Sequence, residues 1–178
     1  LYRPVVQGRM EVQSDSGLYG VLVVEEKTPP LADREMLVIL DDWRLNAESQ
    51  IQPVQVQSVQ AMAQGQLPVP GNVLTVNGAP KALADKAAPG SRIRLRIVNA
   101  ATARIVALRF EGGLTSVIAI DGQPSATAFH PKNLTITLTP GGRVDVMADL
   151  PPEPGKPYKI FTSLSADVIV PVLELTTD

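Results

Sequence analysis

The chain has 178 residues, 44% of them apolar, with 16 basic and 18 acidic side chains and a formal net charge of −2; that is enough for one full domain and part of another. Such a charge balance leaves no electrostatic footprint for nucleic acid or an anionic membrane surface, and no apolar run approaches the roughly 20 residues that span a bilayer. With no cysteine and one histidine, disulfides, thiolate ligands and multi-histidine metal centres are excluded within these residues.

In chain order, Leu1 opens the sequence without a methionine, in what reads as mid-strand, so a processed, truncated or excised piece is expected. Glu11 to Ser16 reads as a polar connection, followed by a strand from Gly17 to Val24 that glycines open and Glu25-Glu26-Lys27 ends. Two prolines in Thr28-Pro29-Pro30-Leu31-Ala32-Asp33 favour an extended linker without ladder donors, and a domain boundary is placed there. Met36 to Leu40 restarts β structure as a continuous apolar run, ended by Asp41-Asp42-Trp43. From Asn46 to Gln66 the pattern is weak and Gln-rich, with Val56 to Ala63 as a short helix. Val73 to Val76 runs into Asn77-Gly78, a strong hairpin signal.

Ser91 to Ser125 holds the clearest β structure, three consecutive strands. In Arg92 to Ile97 arginine alternates with an apolar residue, the period of a strand with one face buried. Val106, Leu108 and Phe110 repeat that period. Val117 to Ile120 is apolar on both faces and closes on the Asp121-Gly122 turn, as an interior strand would. Leu134 to Thr139 and Val144 to Asp149 alternate again, and strands at Tyr158 to Phe161 and Val168 to Leu175 follow a proline-rich loop. Pro89-Gly90 and Pro140-Gly141-Gly142 are matching turns that each feed an alternating strand. Seven or eight strands from Met36 onward predict an all-β, antiparallel Greek-key sandwich.

Several of these pieces occur in a recognisable order. They are Gln13-x-x-x-Gly17-Leu18-Tyr19-Gly20-x-Leu22-x-Val24, Asp33-Arg34-Glu35 leading to Leu40-Asp41-Asp42-Trp43, and Asn72-Val73-Leu74-x-Val76-Asn77-Gly78. Pro89-Gly90-x-Arg92 through Asn99-Ala100, Ile118-Ala119-x-Asp121-Gly122-Gln123-Pro124 and Pro140-Gly141-x-Arg143-Val144-Asp145-Val146 complete the set. Together they resemble the multicopper oxidases over nearly the whole chain. The resemblance implies a cupredoxin-like β-sandwich, with residues 1–27 as the closing strand region of a first domain, 28–35 as a linker and 36–178 as a middle domain that carries no copper. It also implies flanking cupredoxin domains as partners, copper as a cofactor of the parent protein, and a periplasmic or secreted location. Bacterial members carry Tyr-His-Pro-His before the Gly-Leu-Tyr-Gly strand, where this chain has Tyr2-Arg3-Pro4-Val5. Arg3 and Val5 thus stand where two copper-ligand histidines are expected, and neither offers a lone pair to copper.

No residue is assigned a catalytic, cofactor-binding or metal role. His130 sits in a proline-flanked loop with no His, Cys or carboxylate nearby in sequence, and is read as solvated. Asp41 and Asp42, as strand neighbours, point to opposite faces, which argues against a shared proton and for turn-capping beside a packed Trp43. The Arg92, Arg94 and Arg96 row, joined by Arg104 and Arg109, is read as a solvated or domain-facing sheet surface rather than an anion site. Met10, Met36, Met62 and Met147 are too dispersed for a methionine-rich copper segment. Two functions follow: a spacer in a copper-dependent oxidase that couples substrate oxidation to dioxygen reduction, or an interaction scaffold in a copper-free periplasmic relative.

Overall fold

The computed structural model describes residues 1–4, 10–52 and 69–178. Val5, Met62 and the helix expected at Val56 to Ala63 lie outside the described residues. Among the described residues, eleven strands form two sheets. The first holds β1 (Arg34–Trp43), β2 (Val73–Val76), β4 (Arg92–Asn99), β6 (Leu114–Ile120), β7 (Gln123–Phe129) and β9 (Arg143–Asp149), in the order β2-β1-β4-β9-β6-β7. The second holds β3 (Leu83–Ala87), β5 (Val106–Glu111), β8 (Thr135–Leu138), β10 (Pro157–Ser165) and β11 (Val168–Thr177), in the order β3-β11-β10-β5-β8.

The alternating segments bury the face their period assigns. Ile93, Leu95 and Ile97 from one sheet meet Val106, Leu108, Phe110, Ile160 and Leu173 from the other, all at 1% exposure or less. Each such side chain, moved from water to the core, contributes about 1.5–3 kcal/mol. The three strands of Ser91 to Ser125 are present as β4, β5 and β6, but they are not neighbours. β4 and β6 flank β9 in one sheet, and β5 crosses to the other, the Greek-key solution that covers both apolar faces. Nor is the sandwich wholly antiparallel, because β1 pairs parallel with β4 and β11 parallel with β3.

The two Pro-Gly turns sit at opposite ends of the antiparallel β4–β9 pair, with Gly90 at φ 70 and Gly141 at φ 81. Asp121 and Gly122, at φ 51 and 79, make the tight hairpin between β6 and β7. Asn77-Gly78 has the same left-handed pair of residues, φ 50 and 80, yet the chain does not return as a hairpin strand. The Asn77 side chain accepts from the Ile39 amide at 2.7 Å and donates to the Leu37 carbonyl at 3.0 Å. It thereby caps the edge of β1, and the chain passes on to β3 in the other sheet.

The amino-terminal region departs most from expectation. Met10–Asp15 is a short helix, α1, where a connection was expected. Its end is a Schellman motif: the Gly17 amide donates to Ser14 at 2.9 Å and the Leu18 amide to Gln13 at 3.0 Å, with Gly17 at φ 86. Gly17 therefore closes a helix rather than opening a strand. The strand expected from Gly17 to Val24 is not formed; Gly20 makes a single bridge with Tyr2, and residues 21–26 carry no regular secondary structure. β1 begins at Arg34, two residues earlier than expected, and continues through Asp41-Asp42-Trp43 instead of ending there.

Candidate functional site

The outward residues of β4 are Arg92, Arg94, Arg96 and Val98, because the inward set fills the core. Register places a carboxylate against each arginine. Arg92 pairs with Asp149 and Arg96 with Asp145 on β9, while Glu35 of β1 lies against Arg94. The ion pairs follow. Arg92 grips Asp149 at 2.5 and 2.9 Å; Arg96 reaches Glu35 at 3.1 Å and Asp145 at 2.8 Å. Arg94 donates to Asp145 at 2.6 Å, to Glu35 at 3.3 Å and, across 68 residues of chain, to both carboxylate oxygens of Glu26 at 2.8 Å. The hydrogen bond from Arg94 holds the Glu26 carboxyl below the usual carboxylate range.

Of the row read as solvated or domain-facing, Arg92 is exposed and Arg96 partly so, while Arg94 departs from the solvated reading. Arg94 is 1% exposed, beneath residues of the amino-terminal segment. Arg104 and Arg109 are not part of the row. Arg109 lies on β5 in the other sheet and pairs with Glu111. Arg104 is buried and donates to Asp42 at 3.1 Å, to the Gly71 carbonyl at 2.6 Å and to the Leu164 carbonyl at 3.2 Å.

A second ionisable cluster lies at the end of β1. Asp41 and Asp42 do point to opposite faces, and each has its own partner. Asp42 also accepts from the Gly71 amide at 2.5 Å, and burial pushes its carboxyl up. Asp41 accepts from the Tyr19 hydroxyl, and its carboxyl is pushed up to about 6, first by burial and then by the Asp42 and Asp15 charges. Burial and the neighbouring Asp41 push the Tyr19 hydroxyl up in turn. Half-buried Trp43 donates its indole N–H to Thr75 Oγ1 at 3.2 Å, and its ring closes over Gly17, where a Cβ would stand 3.2 Å from it. The cluster thus fastens α1 and the residues after it to β1. It holds no nucleophile and no shared proton.

His130 Nδ1 donates to the Thr115 carbonyl at 2.8 Å, a tether for the loop after β7. Arg3 lays its guanidinium over the Pro140-Gly141 turn, so closely that a Cβ at 141 would collide with it. Among the described residues no group of three or more His, Cys, Asp or Glu side chains is arranged to hold a metal ion. Copper does not fit the donors present. A blue-copper site takes one thiolate and two imidazoles, and this chain offers no cysteine and one tethered histidine.

Fold and site together define a cupredoxin-like β-sandwich whose outer face carries a closed ionic network. A family model described as Multicopper oxidase matches residues 34–177, and the chain belongs to that family. It is 30% identical over 138 residues to the multicopper oxidase MmcO of Mycobacterium tuberculosis, a match covering 64% of this chain and 27% of that protein. It is similar in structure to the multi-copper oxidase of Pseudomonas thermotolerans, with TM-score 0.78 and 24% identity over 94% of this chain and 38% of that one. Lac15 from a marine microbial metagenome matches with TM-score 0.64 and 28% identity, over 92% of this chain and 38% of the other. The chain therefore spans well under half the length of these relatives. No helix among the described residues is long and apolar enough to cross a membrane.

Proposed function

We propose that residues 36–178 are the middle, copper-free cupredoxin domain of a longer multicopper-oxidase-family protein, with residues 1–27 closing a preceding domain and 28–35 joining the two. In this reading the chain spaces and orients flanking domains of an oxidase that takes electrons from its substrate at copper and passes them to dioxygen. Copper belongs to the other domains, and a periplasmic or secreted location follows from the family likeness.

The observation that carries this reading is the donor set: a sandwich of this family with no cysteine and one histidine has nothing with which to build a copper centre. The apolar side chains Leu18, Leu22, Val24 and Leu31, exposed at 58%, 74%, 79% and 90%, support it, since such a concentration on one stretch suits packing against a further unit. The test is copper loading of this chain followed by elemental analysis. No tightly held ion is expected; one per chain would overturn the assignment.

A second reading is a copper-free relative that keeps the sandwiches as an interaction scaffold. Arg3 and Val5 favour it, because they replace the two histidines the family motif expects. Blue-copper absorption and dioxygen uptake by the full-length protein separate the two: both signals support the oxidase, and a folded full-length protein without either supports the scaffold.

A further inference from the structure

Residues 21–30 cross the outer face of the six-stranded sheet, and an open groove of about 540 Å³ lies between this segment and a floor that includes Leu37, Val98 and Ile118. The groove is not filled by the segment's own apolar side chains, since Leu22 and Val24 are 74% and 79% exposed. Backbone hydrogen bonds flank the segment, Gly20 with Tyr2 on one side and Asp33 with Arg92 on the other. In its middle the grip is ionic. The Glu26 carboxylate takes both terminal nitrogens of Arg94, each at 2.8 Å, a fork-to-fork geometry that fixes direction as well as distance.

We propose that the buried Arg94 guanidinium is a docking site for the 21–30 segment, an ionic key on the sheet face that Glu26 enters and can leave. Release is feasible because of the charge count. Around Arg94 and Arg96 stand three carboxylates: Glu26, Glu35 and Asp145. When Glu26 withdraws, two arginines still face two carboxylates, with Arg94 held by Asp145 and Glu35. Breaking a buried pair is expensive when it strands an uncompensated charge, and here neither partner is stranded. Arg94 stays paired, and Glu26, already 41% exposed, returns to water. Docking thus brings a surplus negative charge to the network, and its strength depends on salt. The key rests on this geometry alone; that it orients a preceding domain rests on the proposed spacer role.

The chain contains no cysteine, so Val24→Cys on the segment and Thr127→Cys on β7 accept two nitroxide labels and no others. Double electron–electron resonance then reads the distance between segment and sheet. One narrow distribution is expected for the parent chain, broadened about twofold or more by Glu26→Ala or by raising salt to about 1 M, as a segment freed to sample several positions requires. Glu35→Ala, which removes a carboxylate from the same network without touching the segment, is expected to leave the distribution narrow. An equally narrow distribution in Glu26→Ala would overturn the proposal, as would a broad one in the parent. If the key opens here, yet X-ray scattering of the full-length protein is unchanged by Glu26→Ala, the orienting role is refuted and the key stands.

Discussion

Asp41 gives the sharpest link between burial and measurable stability. Its side chain is 6% exposed, and its carboxyl rises from 3.8 to about 6, chiefly through burial, with Asp42 and Asp15 adding repulsion and the Tyr19 and Asp42 hydrogen bonds opposing. A rise of that size corresponds to about 3 kcal/mol between protonation states. Because the folded value lies above the unfolded one, the native state is favoured by the protonated acid. That contribution is complete below about pH 3.8 and is lost as pH rises through about 6. Asparagine does not titrate, yet its Oδ1 can still accept from Tyr19 and the Asp42 amide, at a cost of about 1 kcal/mol for the weaker neutral bond. Asp41→Asn should therefore be more stable than the parent by about 2 kcal/mol at pH 7.5, and no more stable at pH 4. Urea unfolding followed by the fluorescence of Trp43, the single tryptophan, measures both ends of this range with an unchanged slope. Glu26, Asp85 and Asp178, whose carboxyls arginine or lysine partners hold low, lose their contributions as pH falls; they do so equally in both proteins and cancel in the difference. A parent-to-variant difference that is constant from pH 4 to 7.5 would refute the reasoning.

Arg104→Met should cost about 3–5 kcal/mol in urea at neutral pH, because it leaves the buried Asp42 carboxylate without its counter-charge. Asp42→Leu combined with it should recover most of that loss, and a double variant no better than the single one would count against the pairing. Trp43→Ala should cost about 2–3 kcal/mol by thermal unfolding, less than a fully buried aromatic would, since the ring is half-buried against Gly17 and Thr75. A change below about 1 kcal/mol would mean that the contact with α1 contributes little.

Most of the sandwich was legible in the sequence because period-two alternation reports burial directly, as Ile93, Leu95 and Ile97 do. β3 and β7 were not legible. As edge strands they bury almost nothing, so Leu-Ala-Asp-Lys-Ala and Gln-Pro-Ser-Ala-Thr-Ala-Phe carry no alternation. α1 has only six residues, too few to show a helical period, although Gly17 is a typical stop signal for it. At the candidate site, the opposite orientation of Asp41 and Asp42 followed from strand geometry, and their partners did not. Tyr19 and Arg104 come from distant parts of the chain, and nothing local announces them. The same holds for Arg94: an arginine on the polar side of a strand reads as solvated until the segment that covers it is known.

The arginine row has a structural use that its exposure pattern hides. Apolar alternation fixes which face of β4 points inward, but it is indifferent to a slip of two residues along β9, since Ile93, Leu95 and Ile97 would still face the core. Charge is not indifferent. In the observed register Arg92 meets Asp149 and Arg96 meets Asp145. A slip of two residues one way would leave Arg92 against Pro151 and keep one pair, Arg94 with Asp149; the other way it would keep Arg94 with Asp145 but set Arg96 against Arg143, so either slip loses one of the two pairs. Opposite charges across strands stabilise and like charges oppose, so the row selects one register among those the core accepts. With β4 at the centre of the sheet, between β1 and β9, that choice propagates to both neighbours, because Glu35 on β1 joins the same network. An ionic ladder of this kind specifies geometry without supplying a ligand or a proton, as the proposed spacer role would require.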